Sequence, residues 1–139
     1  MNIYKDKKIL VTGGTGMIGI PLVKLLIAHG AKVRIVSLDD GTLAHPEAEF
    51  LKLDLTEYDN CLKACEGMDY IFHLAGIKGS PKIIQEKPAT FYEAMILFNT
   101  NMLRAARKTP TIERYLYTSS VGVYSPFMAD GSNAEVFYE

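Results

Sequence analysis

Short apolar runs alternate with longer amphipathic segments along the chain. The runs predict five β-strands, at residues 8–12, 32–37, 50–53, 69–74 and 114–118. The segments between them predict α-helices over about 16–29, 57–66 and 88–108. Strands that alternate with helices favour a doubly wound parallel sheet. With right-handed crossovers, the whole chain (1–139) is predicted to form one Rossmann-like α/β domain of three layers, with strand order 3-2-1-4-5.

The spacing of apolar residues, and the residues that can begin or end a helix, also predict details of the helices. Apolar residues at helical spacing predict a buried stripe on the first helix, at Ile18, Leu22, Leu25 and Leu26. Gly30 and Gly67 are expected to end the first and second helices, and Thr56 to cap the start of the second.

A glycine-rich segment follows the first predicted strand, with the sequence Thr12-Gly-Gly-Thr-Gly-Met-Ile-Gly19. Its glycines fit two registers, G-x-G-x-x-G from Gly14 and G-x-x-G-x-x-G from Gly13. Between a strand and a helix, such a turn lets backbone N–H groups reach a pyrophosphate, and its last glycine allows close packing of the helix on the sheet. The segment therefore predicts a dinucleotide site formed by Gly13, Gly14, Thr15, Gly16, Met17, Ile18 and Gly19.

An acidic residue about 20 positions beyond the turn supports this interpretation. It is Asp39 or Asp40, since both follow the second predicted strand. A carboxylate there would accept hydrogen bonds from the ribose hydroxyls of NAD and repel the extra phosphate of NADP. Ser37 could instead bind that phosphate, but no arginine or lysine stands beside it. NAD is therefore the favoured cofactor and NADP the alternative.

Four motifs together resemble an extended short-chain dehydrogenase/reductase, and most closely the NAD-dependent epimerases and dehydratases that act on nucleotide sugars. They are the glycine turn, Asp54-Leu55, His73-Leu-Ala-Gly76 and Tyr117-Thr-Ser-Ser-Val-Gly-Val-Tyr124. The resemblance covers about residues 7–125. It implies a nicotinamide dinucleotide as cofactor, a nucleotide sugar as substrate and hydride transfer at a sugar carbon in the complete enzyme.

The resemblance also implies roles for individual residues. Asp54 and Leu55 match the positions that meet the adenine. The segment Leu74, Ala75 and Gly76 matches the one beside the cofactor's ribose and nicotinamide. Thr118 and Ser119 are implied neighbours of the cofactor, and Ser120 matches the catalytic Ser/Thr that hydrogen-bonds the substrate oxygen.

Two positions depart from the family pattern. Met95 stands where many relatives have an asparagine, and Asn99 or Asn101 could replace it. The catalytic Tyr-x-x-x-Lys pair should follow Ser120 by about 25 residues, and no tyrosine beyond Ser120 has a lysine at that spacing. We therefore expect a domain truncated before that pair and before the substrate lobe, with little catalysis of its own. A natural dinucleotide-binding or sensor protein, or a reductase of a non-sugar carbonyl, is the alternative.

Composition excludes several other classes. The net charge of −1 argues against nucleic-acid binding by bulk electrostatics. No apolar run is long enough for a membrane span, and the first residues lack a signal-peptide core, so a cytoplasmic location is the default expectation. Cys61 and Cys65 are too few for a zinc site and are expected to be half-buried helix residues, so no metal is predicted.

The long third helix suggests a further property. If the helix that carries Tyr-x-x-x-Lys is absent, an apolar face of residues 88–108 is left uncovered, at Phe91, Met95, Phe98 and Met102. Exposed apolar patches favour association, so self-association through this helix is predicted.

Overall fold

A computed structural model describes residues 2–77 and 86–119 of the chain. The five strands are β1 (Lys8–Thr12), β2 (Lys32–Ser37), β3 (Glu49–Lys52), β4 (Tyr70–His73) and β5 (Arg114–Tyr117). The three α-helices of the described part are α1 (Gly19–Ala28), α2 (Tyr58–Cys65) and α3 (Pro88–Lys108). The strands form one parallel sheet in the order β3-β2-β1-β4-β5, which confirms the predicted fold.

Strand β1 lies in the middle of the sheet because it is apolar on both faces. It pairs with β2 on one side and β4 on the other, and Thr12 at its carboxyl end is in register with Val36 and His73. The chain leaves β1 and β4 in opposite directions along the sheet, so a crevice opens between their carboxyl ends. Such a topological switch point is where open α/β sheets bind ligands.

Two apolar cores lie on the two faces of the sheet. On one face, Ile9 and Val11 of β1 pack in the same cluster as Val23 and Leu26 of α1. On the other face, Leu10 packs with residues of α2 and α3. Alternate side chains of β1 thus contribute to opposite cores, which gives the three layers that the sequence predicts.

The predicted stripe on α1 is wrong in part. The buried residues of this helix are Gly19, Val23 and Leu26, whereas Ile18 is 60% and Leu25 55% exposed. The helix begins at Gly19, three residues later than predicted, and Gly19 itself lies against the glycine turn. That close contact selects the 19–23–26 face, so hydrophobic spacing alone misidentified the orientation of the helix.

Glycines end the first two helices as predicted, but Thr56 does not cap α2. Gly30 and Gly67 follow α1 and α2 with φ of +81° and +70°, the left-handed conformation common after a helix. Helix α2 has Glu57 at its N-cap and no side-chain cap bond. The Thr56 hydroxyl donates instead to Asp54 Oδ1, at 2.7 Å, within the preceding turn.

The prediction of which residues form the exposed apolar face of α3 is also wrong. Phe98 and Met102 are buried, and Phe91 is half-buried, so of the four named residues only Met95 is exposed. The exposed apolar residues of this helix are Tyr92, Met95, Ile96, Leu97 and Leu103. The packing of α3 against α2 and the sheet decides which side faces outward.

Both cysteines are more deeply buried than predicted. Cys61 and Cys65 are fully buried, unpaired members of the core between α2 and the sheet. Burial raises the pKa of the Cys61 thiol to about 12 and that of Cys65 to about 11. Within residues 2–77 and 86–119, no helix is both long and apolar enough to cross a membrane.

Candidate dinucleotide-binding site

A cleft of about 490 Å³ opens at the carboxyl ends of the central strands, at the switch point. This size lies within the usual range for small-molecule sites. The glycine turn, the end of β2, the segment after β3, the segment after β4 and the start of α3 form its walls. The lining residues are Gly13, Thr15, Gly16, Val36, Ser37, Leu38, Asp39, Leu53, Asp54, Leu55, Thr56, Leu74, Ala75, Gly76, Ile77, Thr90, Phe91, Ala94 and Phe98.

The glycine turn is closely packed at both of its ends. Gly13 has a φ of +67°, and a Cβ there would lie 3.0 Å from the Ala75 backbone. At Gly19, a Cβ would come within 2.3 Å of the Gly13 carbonyl oxygen and 2.6 Å of Gly14 Cα. Gly19 therefore lets α1 close against the turn itself, whereas the sequence predicts contact with the sheet. The turn needs glycine at both positions and satisfies both registers at once.

The N-terminus of helix α1 adjoins this turn, and no side chain in its first turn neutralises the partial positive charge there. It has no side-chain N-cap bond and no acidic residue in its first turn. The amide dipoles of a helix give its N-terminus a partial positive charge, which attracts anions such as phosphates. No protein carboxylate in the first turn offsets that charge, as expected of a helix that faces an anionic ligand.

Three side chains meet where β2 ends. The hydroxyl of Thr15 lies 2.8 Å from both Ser37 Oγ and Asp39 Oδ2. The backbone N–H of Asp39 donates to Ser37 Oγ at 3.2 Å. Thr15 is only 3% exposed, so a turn residue of the glycine segment holds the acid that follows β2.

The two candidate acids have different surroundings. Asp39 lines the cleft, and Asp40 does not. The carboxylate of Asp40 accepts from the backbone N–H and the hydroxyl of Thr42, where it caps the short 3₁₀ turn Gly41–Leu43. These hydrogen bonds lower the pKa of Asp40. Asp40 is therefore committed to its own loop, and Asp39 is the acid that faces the site.

The wall after β3 is built around Asp54. Its Oδ1 accepts from the backbone N–H of Thr56 at 2.9 Å and its carbonyl from Asn60 at 2.9 Å. The buried side chain of Asn101 on α3 donates to the Thr56 carbonyl at 2.8 Å. Asn101 thus supports this wall of the cleft from below. Asp54 is both a turn-stabilising acid and a lining residue.

The wall after β4 is fixed by a hydrogen-bonded pair across the switch point. Thr12 Oγ1 lies 2.7 Å from His73 Nδ1 and accepts from the Ala75 N–H at 3.1 Å. His73 is 2% exposed, and burial lowers its pKa to about 4, so the ring is neutral. The tautomer of this neutral ring decides whether Nδ1 accepts from the Thr12 hydroxyl or donates to it. His73 is therefore a structural residue of the sheet that positions Ala75 through Thr12.

The structure brings together most of the predicted cofactor residues, but not all. Those that line the cleft are Gly13, Thr15, Gly16, Ser37, Asp39, Asp54, Leu55, Leu74, Ala75 and Gly76. Those that do not are Gly14, Met17, Ile18, Gly19, Asp40, Thr118 and Ser119. Met17 is 90% exposed because the turn directs it to solvent, and a Cβ at Gly14 would lie against Ile35 beneath the turn. Ser120 lies outside the described residues.

Several lining residues were not anticipated. They are apolar side chains beside the motifs and on the start of α3: Val36, Leu38, Leu53, Ile77, Phe91, Ala94 and Phe98, together with Thr56 and Thr90. Positions next to each motif could have been proposed because they follow the same strand ends. The α3 residues had no such signal, since only the packing of that helix brings its first turns to the cleft.

One Tyr-x-x-x-Lys spacing does occur in the sequence, at Tyr4 and Lys8. Lys8 begins β1, so this pair lies at the amino end of the strand, opposite the cleft. Tyr4 packs edge-on to His29, beyond the carboxyl end of α1. The pair is therefore not placed to act on a ligand at the switch point.

Comparison with known proteins agrees with this architecture. The family model of the NAD dependent epimerase/dehydratase family matches residues 9–136. A 3 beta-hydroxysteroid dehydrogenase/Delta 5-->4-isomerase of Mycobacterium tuberculosis is 35% identical over 120 residues, which are 84% of this chain and 32% of that protein.

Two solved structures resemble the fold closely. An epimerase from Methanothermobacter thermautotrophicus aligns with a TM-score of 0.79 and 29% identity, over 90% of this chain and 39% of that one. The UDP-glucose 4-epimerase of Thermus thermophilus, solved in complex with NAD, aligns with a TM-score of 0.71 and 28% identity. The alignment covers 81% of this chain and 37% of that one. The chain spans about a third of the length of the curated relatives it matches. With its glycine turn, strand order and switch-point cleft, the chain belongs to the NAD dependent epimerase/dehydratase family.

Proposed function

We propose that this chain binds NAD in the switch-point cleft, as the cofactor-binding part of an epimerase/dehydratase-type enzyme. The observation that carries the proposal is the convergence at one sheet edge of the glycine turn, the N-terminus of α1 and the carboxylate of Asp39. The turn offers backbone N–H groups to a pyrophosphate, and Asp39 offers oxygen acceptors to ribose hydroxyls. Family membership supports a nicotinamide dinucleotide.

The charges around the cleft favour NAD over NADP. Asp39 and Asp54 are the charged side chains among its described lining residues, and none of those residues is a lysine or arginine. A 2′-phosphate beside Asp39 would meet a carboxylate without a compensating cation. The hydroxyl of Ser37, the alternative phosphate ligand, is already bonded to Thr15. Both features support selection of NAD.

Titration of the purified chain with NAD and NADP tests this proposal, by calorimetry or by NADH fluorescence. We expect NAD to bind at least about tenfold more tightly than NADP, a difference of about 1.4 kcal/mol. Asp39→Asn should reduce that ratio because it removes the charge that repels the phosphate. Asp40→Asn is the matched control and should leave the ratio unchanged, since Asp40 faces its own turn. The absence of binding to either dinucleotide would refute the proposal.

For the complete protein we propose hydride transfer at a carbon of a nucleotide sugar, as the name of the Thermus thermophilus relative suggests. Bound NAD would accept and return the hydride. The residues of this chain would hold the cofactor, and Ser120 would orient the substrate oxygen. General acid–base catalysis contributes about 10²–10⁴-fold, and no tyrosine after Ser120 has a lysine at the required spacing. We therefore expect little turnover from these 139 residues alone.

A specific observation supports a second substrate class. The Mycobacterium tuberculosis relative carries the name of a steroid dehydrogenase and isomerase, and it is more identical to this chain than the Thermus thermophilus epimerase. A non-sugar carbonyl or alcohol is therefore the alternative substrate. Assays of the complete protein with a UDP-sugar and with a 3-hydroxysteroid would distinguish the two classes.

We also propose that the chain self-associates through α3. The residues that would form the contact differ from those predicted from the sequence, because Phe98 and Met102 are buried. Tyr92, Ile96 and Leu103 are 70%, 47% and 58% exposed and follow one another at helical spacing. A second copy of the chain would cover this stripe. Sedimentation should show a dimer that Ile96→Asp dissociates, and a monomer at all micromolar concentrations would contradict it.

A further inference from the structure

Thr15, Ser37 and Asp39 form a closed ring of hydrogen bonds at the end of β2. The carboxylate of Asp39 can only accept, so the hydroxyl of Thr15 must donate to Asp39 Oδ2. A hydroxyl has a single hydrogen, so Ser37 must in turn donate to Thr15 Oγ1. The N–H of Asp39 donates to Ser37 Oγ and closes the ring. Each hydroxyl in it therefore donates once and accepts once.

The ring joins two segments that are distant in sequence. Thr15 lies in the glycine turn, whereas Ser37 and Asp39 lie 22 and 24 residues further along the chain. Its central member, Thr15, is 3% exposed, so water does not compete readily for its hydroxyl. A hydrogen bond to a charged carboxylate is roughly twice as strong as one between neutral groups, so the bond from Thr15 restrains the orientation of the Asp39 carboxylate.

We propose that Thr15 is the positioning residue for cofactor selectivity: its hydroxyl holds the Asp39 carboxylate in the orientation that accepts from ribose hydroxyls. This inference rests on the proposed function above. Thr15 couples the part of the site that holds the pyrophosphate to the part that reads the ribose. A glycine-rich turn that lacked a hydroxyl at this position would still bind pyrophosphate and would discriminate less well between NAD and NADP.

The distinction between a selective and a merely structural role is measurable. The pyrophosphate is common to NAD and NADP, so a damaged turn would weaken the binding of both by the same factor. A misdirected Asp39 carboxylate would weaken NAD binding more than NADP binding, because NADP has no free 2′-hydroxyl for it to accept from and its 2′-phosphate would be repelled less. The ratio of the two dissociation constants therefore reports the orientation of Asp39, and the individual constants report the integrity of the turn.

The experiment compares four variants by calorimetric titration with NAD and NADP, with thermal melting as the test of folding. Thr15→Val keeps the shape of the side chain and removes the hydroxyl, whereas Thr15→Ser keeps the hydroxyl. Thr42→Val is the matched control, because it removes an equivalent threonine–aspartate bond outside the cleft, at Asp40. Thr15→Ala also removes the hydroxyl that donates to Asp39, and it decides the question if Thr15→Val does not fold.

We expect Thr15→Val to weaken NAD about tenfold and to lower the NAD/NADP selectivity by a similar factor, the equivalent of one hydrogen bond to a charged group. Thr15→Ser and Thr42→Val should stay within about threefold of wild type in both constants. Equal weakening of NAD and NADP, or no change in either, would overturn the role of Thr15 while leaving NAD binding by the wild type intact. A wild-type chain that binds neither dinucleotide would refute the proposed function as well.

Discussion

The buried histidine of β4 should make the stability of this protein depend on pH in a specific window. His73 lies beneath the cleft, with Thr12 on its Nδ1 and the rings of Phe98 and Tyr115 packed 5.7 and 6.1 Å away between centroids. Its Nε2 is buried and makes no hydrogen bond of good geometry within the described part of the chain. The Asn99 side chain beside the ring favours the protonated form, but burial outweighs it.

The magnitude follows from the depressed pKa. An unfolded histidine titrates near 6.5, and burial lowers the pKa of His73 to about 4. Between these values the unfolded chain binds a proton that the folded chain does not, so the free energy of unfolding falls as pH falls. The full loss is about 3 kcal/mol below pH 4, and about 2 kcal/mol is lost by pH 5. Above about pH 7.5 this group contributes almost no pH dependence.

Urea denaturation at intervals between pH 7.5 and 4.5 measures this effect. Carboxylates titrate near the lower end of the range, so the quantity of interest is the difference between wild type and His73→Gln, which cannot titrate there. We expect the variant to be less stable at pH 7.5, and the gap to narrow by about 2 kcal/mol at pH 5. His29→Gln, which removes an exposed histidine, is the matched control, and its difference from wild type should not narrow by about 2 kcal/mol at pH 5. Parallel curves for wild type and His73→Gln would refute the assignment of a neutral, buried imidazole.

Three further predictions concern the frame of the site. Gly19→Ala should lower the free energy of unfolding by about 1–3 kcal/mol, because the added Cβ would lie 2.3 Å from a backbone atom. Gly76→Ala is the control: its Cβ would meet no atom within 4 Å, so it should cost less than about 1 kcal/mol in the same urea denaturation experiment. Arg34→Met should lower the free energy of unfolding by about 2 kcal/mol, because it removes hydrogen bonds to three carbonyl groups at the end of α2 and an ion pair at 2.8 Å. A loss of stability below about 0.5 kcal/mol would contradict this role of Arg34. Cys61 and Cys65 should resist iodoacetamide in the folded state and react in urea, because burial raises their pKa values. Equal labelling with and without urea, measured by mass spectrometry, would show that these thiols are accessible.

Asp39 and Asp40 show where sequence reasoning reached its limit. Both follow β2, and motif spacing alone does not distinguish them, since each lies about 20 residues beyond the glycine turn. The choice depends on partners from elsewhere in the chain. Thr15 holds Asp39 at the cleft, whereas Thr42 draws Asp40 into a separate turn. Motif spacing identifies the segment after β2 that carries the acid. Only the side-chain contacts show which of its two carboxylates faces the cleft.

The helix faces were misassigned for a related reason. Leu25 on α1 and Phe98 on α3 are both apolar, yet the first is exposed and the second buried. Each helix carries apolar residues on more than one side, so periodicity admits several orientations. The close approach of Gly19 to the turn and the packing of α3 on α2 and the sheet select one orientation each.

The sequence by itself determined the strand order, the position of the site and the need for glycine in the turn between β1 and α1. These features depend on backbone conformation and on the alternation of strands and helices, both of which are encoded locally. Tertiary structure alone decided that Asp39 faces the cleft, that Thr15 holds it and that α3 supplies an apolar wall. Those contacts join residues that are distant in sequence, such as Thr15 and Asp39, which are 24 positions apart, and their geometry exists only once the sheet has formed.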